Sequence, residues 1–432
     1  MEEEKMKGRE VVVTGMGMVS PLGAGVEANM EGVRRMRSGI AVHGGRPPGF
    51  ELFGAADGVS MPGDIPLKLR GQMKFLNRGS VLGFAAAVEA FRAAGGDVSD
   101  VDPWRRALYV GSGDLTSVGY EFMYPAVKEA TAGSFDLHSL DSAALNDAAL
   151  TGVNPFYLLE SISNNLFSFL SAYLEFMGPN TSLASLSPCG GQAMELAAAA
   201  VSRGEADVAM AVGCGNWITE VPLFELGGLG LLCRGDEGPV GFRPFDRRRD
   251  GFIPGEGGAA VFLESAERAE KRGASVAARL RGWANRTEFV SGDSLGVPDR
   301  VGLGVVEAAL GRAGLGPGDL AFVCGHGSAT RRGDRSELVS LASALDGEAV
   351  PLCALKPYTG HMGAASDVAE VIVSIEAARR GFVPATLNFG AADRPFSELR
   401  ISGSHVKSAG RSFLSLTYGL GGQSSAVVVE VL

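Results

Sequence analysis

Gly178-Pro-Asn-Thr-Ser-Leu-Ala-Ser-Leu-Ser187-Pro-Cys189-Gly-Gly191 runs into an alanine-rich segment and then into Gly204-Glu-Ala-Asp-Val-Ala-Met-Ala-Val-Gly213. The apolar spacing reads as a strand, a sharp turn, a helix and a second strand. Small and glycine residues mark the two junctions. Ser187 falls at the first of them. A side chain between a strand end and a helix start is presented on a tight turn, and the helix N-terminus favours negative charge there. Serine in front of a helix is also a common N-cap. Cys189, two residues on, is an alternative reactive group. Its ordinary reading is a small buried residue packing the helix start.

Working outward, Val11–Gly17 is a short buried strand ending in a glycine turn, and residues 73–95 form an amphipathic helix stopped by Gly95-Gly96. Ala107–Gly111 is a strand, and 155–176 a long apolar helix. The second half repeats the alternation. Strands are expected at Ala321–Cys324, Val350–Leu355, Phe413–Tyr418 and Ala426–Leu432, with helices over Arg335–Leu345 and 364–380. Buried strands alternating with helices predict an α/β architecture with mainly parallel strands. Glycine-rich surface loops fall around 43–65 and 225–240, and a charged helical linker at Ala266–Ala274. Gly15-Met-Gly17 is no nucleotide loop, because neither GxGxxG nor a Walker lysine accompanies it.

Composition narrows the function classes. The chain has 432 residues, 46% hydrophobic and 20% charged, so burial is not limiting and two or three domains are expected. A net charge of -10 argues against a nucleic-acid footprint. The five cysteines, Cys189, Cys214, Cys233, Cys324 and Cys353, have no paired spacing and read as reduced thiols. Neither CxxC nor HExxH supports a metal site. The opening Met1-Glu-Glu-Glu-Lys has no apolar core, and no stretch reaches membrane-spanning length. The expectation is a cytoplasmic protein off the membrane.

Two downstream turns carry histidine: Cys324-Gly-His326-Gly-Ser328-Ala-Thr330, followed by Asp334 and Glu337, and Lys356-Pro-Tyr-Thr359-Gly360-His361. Arg249-Asp250-Gly-Phe-Ile-Pro-Gly255-Glu256-Gly-Gly258 precedes them, and Tyr418-Gly-Leu420-Gly-Gly-Gln-Ser424 follows. In this order and spacing the segments resemble the β-ketoacyl-acyl-carrier-protein synthases, condensing enzymes of the thiolase fold. The resemblance spans residues 10–432. It implies two pseudo-symmetric α/β halves in five layers, 10–265 with the nucleophile turn and 276–432 with two catalytic histidines. It also implies a dimer, with 155–176 near the dimer contact.

The resemblance assigns roles residue by residue. Aligned without a gap from Gly178 to Gly213, Ser187 stands where the family has its cysteine nucleophile. A serine there needs a positioned base, which His326 or His361 could supply. His326 corresponds to the histidine that bonds the malonyl thioester carbonyl. Ser328 and Thr330 correspond to the hydroxyls that hold the phosphopantetheine arm. Lys356 is expected to pair with Glu337, against the simpler reading of an exposed lysine. The backbone N–H of Leu420 joins that of Ser187 as the oxyanion hole, with the family's aromatic gate lost. The loop after His361 is one residue shorter than the family pattern. The Arg249–Gly258 signature lines the core between the halves.

No cofactor is implied beyond the phosphopantetheine arm of a partner acyl carrier protein. An acidic carrier would dock on a local basic patch, for which Arg247, Arg248, Arg249, Arg331 and Arg332 are candidates. Three activities stay open: carbon–carbon condensation through a serine ester, acyl transfer to another acceptor or malonyl-carrier decarboxylation, and a chain-length-factor-like partner in a heterodimer. A homodimer is equally open.

Overall fold

The structure is a computed structural model that describes residues 8–44, 49–59, 61–63, 65–112, 122–153, 155–157, 159, 162, 164–184, 188–288 and 296–432. Its main elements fall into two series. The first is β1 (Val11–Ser20), α1 (Arg78–Ala93), β2 (Arg106–Ser112), α2 (Asn165–Leu174), β3 (Asn180–Ala184), α3 (Cys189–Ser202), β4 (Val208–Asn216) and β5 (Glu256–Ser265). The second is β6 (Ala278–Thr287), α4 (Leu303–Ala313), β7 (Leu320–Cys324), α5 (Arg331–Leu345), β8 (Pro351–Cys353), α6 (Ala364–Arg379), β9 (Ser412–Tyr418) and β10 (Gln423–Val431). The strands run in the order β3-β2-β4-β5-β1 and, equivalently, β8-β7-β9-β10-β6. Strands β1 and β6 pair antiparallel at Val11–Leu280, Val12–Arg279 and Val13–Ala278, which joins the halves.

Each half is mixed rather than mainly parallel. β2 is parallel to β3 and β4, while β4–β5 and β5–β1 are antiparallel. The second half copies this pattern. The reason is plain at β9–β10, where Gly421 and Gly422, both at positive φ, close a tight hairpin. A hairpin can only be antiparallel.

Helices α3 and α6 contact strands of both halves and form the middle layer; α1 and α2 cover one sheet, α4 and α5 the other. The alternation of side chains across a strand explains this sandwich. On β4, Ala209 and Ala211 face the central core, with Ala193 and Ala197 of α3 and Val368 and Ile372 of α6. Val208, Met210 and Val212 face the outer core, with Phe84 of α1 and Leu170 of α2. Small residues on α3 permit the close approach that a helix between two sheets requires.

Several boundaries differ from the sequence reading. β1 continues through Gly15 and Gly17 to Ser20, because those glycines are packing sites rather than a turn. A Cβ on either would collide with the backbone carbonyl of Ala90 or Ala86 on α1. α1 starts at Arg78, capped by the Asn77 side chain, which accepts from the Ser80 N–H at 2.8 Å. The helix expected over 155–176 is described only as α2, beginning at Asn165. β8 is three residues long, since Lys356–Thr359 turns helical. Residues 225–228, read as loop, belong to the helix Glu220–Gly228. Among the described residues no helix is long and apolar enough to cross a membrane.

Candidate active site

Two turns at the same end of the second half bring their histidine rings to a centroid separation of 5.2 Å. His326 follows β7. Glu337, reaching back from α5, accepts from the backbone N–H of His326 at 2.6 Å and of Gly327 at 3.0 Å. Gly327 and Ala329 both take positive φ in this turn, and the non-glycine Ala329 marks local strain. The turn ends at Thr330, which caps α5 by accepting from the Gly333 N–H at 3.2 Å.

Lys356 is fully buried and uses three donors. Its ammonium reaches the His326 carbonyl at 2.7 Å, His326 Nδ1 at 3.2 Å and Glu370 Oε1 at 2.8 Å. The ion pair is therefore with Glu370, not with Glu337 as the sequence suggested. Glu337 already serves two backbone N–H groups, whereas Glu370 lies along α6 on the lysine's side. A lysine bonded to Nδ1 makes that nitrogen the acceptor and leaves the ring proton on Nε2.

His361 is fixed mainly by main chain and packing. Its N–H donates to the Ile253 carbonyl at 2.8 Å and its carbonyl accepts from the Gly255 N–H at 2.9 Å. These contacts give the Arg249–Gly258 segment a specific job: it holds the second histidine. The His361 ring stacks on Trp217 at 4.4 Å between centroids. Its Nδ1 accepts from the Gly363 N–H at 3.2 Å, so its proton also resides on Nε2. Gly363, with φ 58°, caps the turn and lets α6 begin at Ala364.

Burial depresses the basicity of both rings well below the usual histidine range, and the Lys356 charge adds to the effect. Both are neutral N–H donors at physiological pH. The acids behind them are pushed the other way. Burial and the neighbouring Asp334 raise Glu337 to about 8. Burial raises Glu370 to about 7 against the pull of Lys356, and Asp334 to about 6.

The histidines line a cavity of about 340 Å³ together with Trp217, Ser328, Thr330, Tyr418 and Leu420. Ser328 Oγ lies 2.8 Å from Thr330 Oγ1, 3.1 Å from Asp334 Oδ1 and 3.2 Å from the Tyr418 hydroxyl. The Tyr418 ring sits 4.2 Å from that of His326. Arg331 and Arg332 stand exposed on the cavity lining. Arg249 does not belong to any surface patch: its side chain is 5% exposed and bonds Asp393 at 2.9 Å.

Ser187 lies outside the described residues. Downstream of it, Cys189 opens α3 fully buried, its thiol 3.5 Å from the Ser112 carbonyl. Sequence reasoning missed Glu370 and Trp217. Glu370 was visible, with Asp367, as one of two acids three apart in the apolar run Ala364–Ile375, which has few exposed positions to offer them. Trp217 carried no local signal, since its partner is 144 positions away.

The sequence matches the family description "Beta-ketoacyl synthase, N-terminal domain" over residues 8–269 and "Beta-ketoacyl synthase, C-terminal domain" over 278–390. It is 28% identical over 444 residues to the 3-oxoacyl-acyl-carrier-protein synthase 2 of Vibrio cholerae, covering 98% of this chain and 100% of that one. It is 25% identical over 441 residues to the chloroplastic 3-oxoacyl-acyl-carrier-protein synthase I of Arabidopsis thaliana, covering 97% and 86%. Among solved structures, a β-ketoacyl synthase from Burkholderia phymatum superposes with TM-score 0.82 at 23% identity, over 98% and 100% of the two chains. The ishigamide ketosynthase/chain length factor superposes with TM-score 0.77 at 23% identity, with the same coverage.

Proposed function

The chain belongs to the β-ketoacyl synthase family, and on that premise we propose that it is an acyltransferase acting on acyl and malonyl groups carried by an acyl carrier protein, in fatty-acid or polyketide-type biosynthesis. The observation that carries the reading is the pair of neutral histidines, each with its proton on Nε2, beside the Ser328–Thr330 hydroxyl pair in one cavity. Two N–H donors facing one cavity stabilise the oxygen on which charge develops when a malonyl thioester loses CO2. The malonyl C–C bond breaks, its electron pair moves into the enolate, and CO2 departs. Ser328 and Thr330 hold the phosphopantetheine arm that presents the thioester.

Ser187 is the proposed nucleophile. Its oxygen attacks an acyl thioester, the C–S bond breaks, and the departing carrier thiolate takes up the proton that the serine hydroxyl loses. The enolate carbon then attacks the resulting ester: a C–C bond forms, the ester C–O bond breaks, and the Ser187 alkoxide takes a proton from water. The N–H groups of Ser187 and Leu420 are the proposed oxyanion hole. The open edge strand β3, with exposed Met177 preceding it and exposed Leu196 on α3, fits a dimer of like or related chains. The 10–265 and 276–432 units remain the proposed halves.

A second reading follows from the same histidines. Decarboxylation needs no nucleophile, so a malonyl-carrier decarboxylase, or a chain-length-factor-like partner, is the alternative. Mass spectrometry after incubation with acyl carrier protein separates these. An acyl adduct on wild type that disappears only in Ser187→Ala supports the serine nucleophile. Loss only in Cys189→Ala transfers the role to Cys189, and no adduct at all favours the second reading. In either case His326→Ala is expected to abolish CO2 release from malonyl-carrier protein, and unchanged release refutes the role given to His326.

A further inference from the structure

Three hydroxyl groups converge on one wall of the cavity. Ser328 Oγ is the hub, 2.8 Å from Thr330 Oγ1 and 3.2 Å from the Tyr418 hydroxyl. They crowd the first turn of α5, where Gly333 leaves them room: a Cβ there would collide with all three oxygens. Ser328, Thr330, Gly333 and Tyr418 all line the cavity. Tyr418 arrives from the end of β9 and is 3% exposed. Its ring is held between that of His326 and a small apolar cluster with Val297 and Val301.

The protons of this cluster can be counted. Asp334 is mostly ionised at pH 7, and an ionised carboxylate only accepts. The Ser328 hydroxyl therefore donates to Asp334 Oδ1 at 3.1 Å, while Asp334 Oδ2 accepts from the Phe245 N–H at 2.6 Å. Ser328 Oγ keeps two lone pairs. One accepts from the Thr330 N–H at 3.2 Å. A single acceptor position is left for two O–H donors, those of Thr330 and Tyr418. Whichever of them bonds Ser328, the other keeps a proton for a ligand. Burial holds the Tyr418 phenol well above its ordinary range, so it stays a donor. Without that phenol the count closes, with Ser328 donating to Asp334, Thr330 to Ser328 and nothing over.

We propose that Tyr418 is a further binding residue of this cavity, whose hydroxyl gives the Ser328–Thr330 pair a spare donor for an amide carbonyl of the carrier's phosphopantetheine arm. The proposal rests on the reading of the protein as acting on carrier-borne acyl groups. In that reading the histidine N–H groups serve the thioester oxygen, and the next carbonyl along the arm belongs to an amide.

The test is Tyr418→Phe, which keeps the ring against His326 and removes only the hydroxyl. Pantetheine is titrated into wild type and variant by ligand-observed NMR, which reads weak affinities. Two pantetheine analogues, each with one amide replaced by an alkene, are titrated beside it. The variant is expected to bind pantetheine about threefold to tenfold more weakly, the scale of one neutral hydrogen bond. That difference should vanish with one of the two analogues. Equal affinity of wild type and variant for pantetheine overturns the proposal. So does the same weakening towards pantetheine and both analogues, because the hydroxyl would then act through packing. Wild type that binds no pantetheine overturns it too. Release of CO2 from malonyl-carrier protein by wild type, measured in parallel, tells whether the proposed function falls with it or stands without it.

Discussion

His326 and His361 share one cavity and one protonation state, yet they are held by different forces. Buried ionisable side chains hold His326: Glu337 clamps its turn, Lys356 grips its ring and carbonyl, and Glu370 anchors the lysine. Main-chain bonding and packing hold His361: the 253–255 segment fixes its backbone, Gly363 fixes its tautomer, and Trp217 covers its ring. Removing one member of a buried charged set leaves an uncompensated charge, whereas trimming a packed neighbour loses contacts in proportion. The two histidines should therefore fail in different ways.

The largest effect is expected at Lys356. Lys356→Met keeps most of the side-chain volume but strands the Glu370 carboxyl and frees the His326 ring. A loss of about 3–5 kcal/mol of stability is expected, the range for breaking a buried pair. Decarboxylation should fall by roughly 10²-fold or more, the scale for losing one oriented donor in such a site. Urea unfolding and CO2 release measure the two. Lys356→Met/Glu370→Leu should recover stability without recovering CO2 release. A single variant as stable as wild type would show that the lysine does not anchor this side of the site.

Titration sharpens the contrast. The histidines have lowered basicity in the fold, so the unfolded chain binds more protons below about pH 6.5, and they weaken the fold as pH drops through that value. The acids have the opposite sign. Raised in the fold, they contribute stability that is complete below about pH 4.3 and is lost as pH rises towards the folded value, about 8 for Glu337. Between pH 6.5 and 8 only the acid side acts, so wild-type stability is expected to decline there. Glu337→Gln should flatten the decline while lowering stability at pH 5, because glutamine accepts from the two clamped N–H groups less well. An identical slope in variant and wild type would remove Glu337 from the titration.

The halves of this site differ in how far the sequence discloses them. Motif spacing located both histidines, Lys356 and the Ser328–Thr330 pair, because each lies within a few residues of a glycine turn. It mispaired Lys356, since the choice between Glu337 and Glu370 depends on which acid has already committed its oxygens to backbone N–H groups. The repeated strand order was legible only as alternation. Its antiparallel inner strands required knowing that β9 returns through a hairpin, and the glycines of β1 looked like a turn until α1 was packed against them. Trp217 acts across a distance in sequence that no local pattern spans.

The smallest effect is expected at Trp217. Trp217→Phe keeps a flat ring over His361 but removes part of its area, in a residue only 3% exposed. The Gly363 N–H and the contacts to Ile253 and Gly255 do not involve that side chain. They should hold the ring's proton on Nε2 and its position to within a fraction of an ångström. A stability loss of about 1–2 kcal/mol is expected, within the usual range for imperfect core replacement. CO2 release should fall no more than several-fold. Thermal unfolding and the decarboxylation rate, measured beside Lys356→Met, decide the matter. If Trp217→Phe abolished CO2 release as completely as the lysine variant, packing would carry as much of the site as charge does, and the distinction between the two histidines would collapse.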